Sequence, residues 1–139
     1  MLDDVRQRCN AIEECYEFML AYAAKGLPGD EGNQAGGQLR HFLKRSAEAL
    51  SGLAESYGAA AKQSGLAPSS YQAFLGVLDR DARDSLAAIE MVLAQPSISS
   101  QLIDNLNASI HLRALLTDLF LIDEIIKPQK VTADPAATN

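Results

Sequence analysis

Apolar residues recur along this chain at alternating spacings of three and four, and clusters of Gly, Pro and Ser interrupt the rhythm. In a first segment, about 3–25, the series is Leu2, Val5, Cys9, Ile12, Tyr16, Met19 and Ala23. In a second, about 38–63, it is Leu39, Leu43, Ser46, Leu50, Leu53, Tyr57 and Ala60. In a third, about 71–94, it is Tyr71, Leu75, Leu78, Ala82, Leu86, Ile89 and Leu93. A helix of about 3.6 residues per turn gathers such a series into one stripe, and a stripe must be buried against another element. No segment alternates with the period of a strand. The pattern predicts an all-α fold: a four-helix, mainly up-down antiparallel bundle in one domain, 1–127.

The breakers fit that reading. Residues 26–37 hold five of the nine glycines and read as a flexible loop. Gly52 and Gly58 fall inside the second segment, each costing about 1 kcal/mol relative to Ala. Ser64, Gly65 and Pro68 end that segment, and Ser69 or Ser70 can cap the next. Pro96 breaks the chain before the fourth segment, with Ser97, Ser99 and Ser100 as candidate caps. After Lys127 the residues are small and polar without periodicity, so 128–139 is expected to be a disordered tail.

The fourth segment, about 97–127, changes face. Leu102, Ile103, Leu106 and Ile110 share one side, with Asp104, Asn107 and His111 opposite. From Arg113 onward the apolar stripe is Leu115, Leu119, Ile122 and Ile126, while Arg113, Thr117 and Glu124 stand where the first stripe was. A helix packed on one core keeps one stripe. Two accounts follow: a second chain covers the surplus apolar surface, or a kink near residues 105–111 turns both stripes onto one core. The second half is apolar almost all round, which favours a two-fold homodimer with Leu112, Leu116, Phe120, Leu121 and Ile125 at the contact. Cys15, Phe18 and Tyr22 lie off the main seam of the first segment and extend such a patch.

Composition excludes several function classes. The net charge of −6 is spread along the 139 residues without a basic arm, which disfavours a nucleic-acid partner. No run reaches the ~18 apolar residues of a membrane span. Cys9 and Cys15 lie roughly 9 Å apart along one helix and cannot bridge each other. Two free thiols and an acidic N-terminus, unlike a signal peptide, lead to an expected cytoplasmic location.

No motif names a reaction. A di-metal bundle site needs Glu-x-x-His on two helices, but Gln38 precedes His41 by three and Ala108 precedes His111 by three. Glu13, Glu14 and Glu17 read as an exposed acidic face. There is no haem-attachment spacing and no phosphate-binding glycine loop. No catalytic residue, metal or cofactor is therefore assigned. Arg40, His41, Lys44 and Arg45 form one basic cluster near a helix start, a candidate contact for an anion or an acidic partner. Asp104, Asn107, His111 and Asp118 line another helix side without an adjacent nucleophile. The expected function is non-catalytic: an adaptor, chaperone-like accessory or regulator acting by protein–protein association. The alternative is a small-ligand or sensor bundle with Ser46, Tyr16 and Tyr57 converging on a cavity.

Overall fold

Local caps and breakers cut the chain into more helices than the apolar spacing alone suggests. A computed structural model describes the backbone of residues 2–138 and the side chains of residues 2–126. Among these the order is α1 (Leu2–Ala24), α2 (Gln34–Leu50), α3 (Leu53–Gln63), a short 3-10 turn (Pro68–Ser70), α4 (Gln72–Leu93), α5 (Ser100–Asn107) and α6 (Ile110–Thr138). The fold class is all-α as expected, but six α-helices replace four. The disordered tail expected over 128–139 is not confirmed: α6 continues as helix through Thr138, and the side chains beyond residue 126 lie outside the described residues.

Both extra breaks have a local cause. The expected second helix divides at Ser51–Gly52, where Gly52 adopts φ +79°, a conformation that costs an L residue about 1–2 kcal/mol. Arg8 of α1 reaches across and donates to the carbonyls of Ala49 (2.9 Å) and Ser51 (2.7 Å), satisfying orphan acceptors at the end of α2. The expected fourth helix divides at Ala108–Ser109. There the Ser109 hydroxyl accepts from the N–H groups of His111 (3.2 Å) and Leu112 (3.5 Å) and starts α6.

The second break accounts for the change of face. Ile103 and Leu106 of α5 and Leu115, Leu119, Ile122 and Ile126 of α6 all join one core. The break lets Ile103 and Leu106 share a core with the second stripe within one chain, while Leu102 is half-buried and Ile110 of the first stripe stays exposed. The core also takes Cys15 and Tyr22 of α1, both fully covered, while Phe18 is half-buried and stacks on Phe42 at 4.8 Å. These side chains, expected to extend an outer patch, instead face neighbours because α1 packs against α2, α3 and α5 at once.

The glycine-rich connection is shorter and better anchored than expected. Asn33 caps α2, its side chain accepting from Gly36 N–H at 2.6 Å, so the helix starts at Gln34. A Cβ on Gly36 would overlap the Asp30 carbonyl, so only glycine fits this approach. Leu27 and Ser100 exchange hydrogen bonds at 2.8 and 2.9 Å, and Tyr22 donates to the Ile98 carbonyl at 2.7 Å. The loop after α1 is thereby stitched to the loop before α5. Helices α4 and α6 run antiparallel: Ser85 donates to the His111 carbonyl at 3.0 Å, while Asp81, one turn earlier, meets Asp118 further along α6.

Candidate functional site

The basic cluster does not converge on a ligand. Arg40 is engaged in a structural clasp: its guanidinium grips the buried Asp30 carboxylate at 2.5 Å and donates to the carbonyls of Leu93 (3.1 Å) and Gln95 (2.8 Å). The Asp30 carboxylate also accepts from Ile98 N–H at 2.6 Å. Arg40 beside it holds the Asp30 carboxyl below the usual carboxylate range. Arg45 pairs with Glu14 across the α1–α2 groove at 3.1 Å. His41 and Lys44 are exposed. The charges complete helix ends and helix pairs, and Asp30, the residue that organises Arg40, carries no local signal in the sequence.

The polar stripe read along the fourth segment also separates. Asp104 is exposed. Asn107 is buried with both amide atoms lacking a hydrogen-bond partner. His111 stands at the surface with Nδ1 3.8 Å from Asp84. Asp118 turns inward and is only 6% exposed, and its Oδ2 has no hydrogen-bond partner. Its carboxyl meets the Asp81 carboxyl of α4. Among the described residues no cation pairs with either. Burial first, and then Asp81, push the Asp118 carboxyl up to about 7. Two carboxyls so placed cannot both be ionised cheaply, so one proton belongs to the pair.

The thiols are inert by environment. Cys9 Sγ lies 2.7 Å from Tyr57 Oη, and Tyr57 donates to Asp123 at 2.7 Å, so the thiol donates to the phenol oxygen. Burial pushes both the Cys9 and Cys15 thiols up to about 12, far from the thiolate needed for nucleophilic chemistry. Tyr57 is satisfied by these partners, and Ser46 is buried against Cys15. Neither of them, nor Tyr16, lines the surface hollow of about 320 Å³, which is bounded by Asp4, Arg8, Gly52, Glu55, Ser56 and Ala59. Within that hollow Arg8 is held by Asp4 at 3.0 Å and by the end of α2. Among the described residues no three His, Cys, Asp or Glu side chains gather around a possible metal position, and no helix is long and apolar enough to cross a membrane.

The outer face of α6 is different. Leu112 and Leu116, expected at an intermolecular contact, are covered by the chain itself at 2% and 8% exposure. Phe120, Leu121 and Ile125 remain open at 59%, 54% and 56%. The kink consumes the first half of the expected contact and leaves the second. Arg113, Thr117 and Glu124 share the exposed side. No known protein family, curated protein or solved structure matches the chain.

Proposed function

We propose that this chain is a non-catalytic helical protein that acts by associating with protein surfaces through the outer face of α6, as a homodimer and as an adaptor, accessory or regulatory component. The observation that carries this reading is the cluster of three large apolar side chains, each more than half exposed, within six residues of one helix. Single exposed apolar residues are ordinary, but a contiguous set on a helix whose other side is core marks a contact surface. The net charge of −6 supports a protein partner over a polyanion. The unpaired thiols fit a reducing cytoplasmic setting. In this reading α2–α3 and α5–α6 are two broken legs that, with α1 and α4, make up an up-down bundle presenting α6 at its edge.

The test is native mass. Extract from the producing cells is expected to show the protein above its 14.9 kDa monomer on gel filtration. Phe120→Glu is expected to return it to monomer without lowering its melting temperature, because Phe120 contributes little to the core. A monomer in extract for the unmodified chain would overturn the proposal.

A further inference from the structure

The exposed seam of α6 carries charges of opposite sign near its two ends. Ile110, Arg113, Thr117, Phe120 and Glu124 follow one another at spacings of three and four, and all five are exposed. Arg113 and Glu124 make no ion pair among the described residues, although both are long side chains on an open surface. Thr117 and Phe120 lie between them on the seam, and the exposed Leu121 and Ile125 stand beside it.

We infer that the partner of this face is a second copy of the chain, with α6 packed antiparallel on α6 across a two-fold axis that passes between Asp118 and Leu119. The inference rests on the association proposed above and names its partner and register. Residues at equal distances from such an axis meet. Thr117 of one copy faces Phe120 of the other, and Arg113 faces Glu124. The symmetry repeats each contact, so a centre of two Phe120 rings against two Thr117 side chains is closed at both ends by an opposite-charge pair. The parallel alternative sets Arg113 on Arg113 and Glu124 on Glu124, which repel. The three-four spacing is the seam that two helices need to interdigitate. From Ile110 to Glu124 the seam is about 20 Å long at ~1.5 Å per residue.

Charge reversal in the purified full-length chain tests this. In sedimentation equilibrium, Arg113→Glu and Glu124→Arg are each expected to weaken the dimer about tenfold, and the double variant to restore it to within about threefold. Circular dichroism checks that each variant keeps its helices, as these exposed positions allow. A second measurement fixes the direction: an equimolar mixture of Arg113→Cys and Glu124→Cys chains is expected to form mixed disulfides, while either variant alone does not. A dimer without rescue in the double variant, or one that crosslinks only within a single variant, overturns the antiparallel register and leaves association standing. A purified chain that stays monomeric at high micromolar concentration, while its extract runs above monomer mass, overturns the second copy as partner and leaves another protein in its place. Monomer in both settings removes both proposals.

Discussion

Two inward-facing aspartates show how environment, not residue type, sets a charge. Asp30 meets Arg40 and the Ile98 N–H, so its ionised form is held in place. Asp118 meets another carboxyl and no cation, so its neutral form is favoured. The consequences for stability have opposite signs. The Asp118 carboxyl is raised in the fold from 3.8 to about 7, so the folded chain holds a proton that the unfolded chain releases. That contribution is complete below 3.8 and is lost as pH rises through about 7. Urea denaturation is therefore expected to show a more stable protein at about pH 5 than at about pH 8.5, with Asp118→Asn removing most of the difference. An unchanged slope in the variant would exclude the carboxyl pair as its origin. Asp30, whose carboxyl is lowered, contributes above 3.8 and loses that contribution as pH falls through its folded value, so it is intact across this range. Asp30→Ala leaves Arg40 and the Ile98 N–H without their acceptor. A loss of about 3 kcal/mol by the same denaturation is expected.

At the scale of the element, adjacent glycines in α2 have different roles. Gly36 lies against the Asp30 carbonyl, where any Cβ overlaps backbone. Gly37 has open space around its Cβ position and sits in an exposed helical turn. Gly36→Ala is expected to destabilise by about 1–3 kcal/mol through overpacking. Gly37→Ala is expected to stabilise by about 0.5–1 kcal/mol through reduced freedom of the unfolded chain. Equal effects in thermal melting would show that the close approach at Gly36 is absent. The breaks at Gly52 and Ser109 follow the same logic. One depends on a left-handed backbone and divides a helix whose three-four apolar spacing runs through it, and the other depends on a cap and falls where the apolar stripe changes face.

For the whole molecule, the core buries both thiols and leaves one helix face open. Cys9 and Cys15 are at most 6% exposed, and burial holds both thiols near 12, so neither water nor reagent reaches a thiolate. Ellman's reagent is expected to label the native protein no faster than it unfolds, and both thiols together once denaturant is added. Rapid labelling of one thiol in the native state would show that α1 opens locally. The Tyr57 bridge between Cys9 of α1 and Asp123 of α6 links helices whose backbones otherwise make few contacts. Leu20, Val77, Met91 and Ile110 are also exposed, but three exposed apolar side chains within six residues occur only on α6 among the described residues.

The sequence by itself determined the helical class, with no strand among the described residues, and most of the core stripe, because each is a local property of spacing, capping and breakers. Val5, Cys9, Ile12 and Met19 are buried where their three-four series puts them, and Ser99 caps α5 as a serine before an apolar run does. The change of face near residue 108 was also legible, but its cause was not. A kink and a second chain produce the same pattern along one helix, and only the packing of α5 and α6 on a common core separates them. Cys15 and Tyr22 were misplaced because a helix with neighbours on three sides buries more than one stripe. The Asp30 clasp and the Asp81–Asp118 pair left no trace in the spacing. Their partners are far apart in sequence, and Coulomb energy and desolvation depend on distance and burial in space, which only the tertiary structure decided.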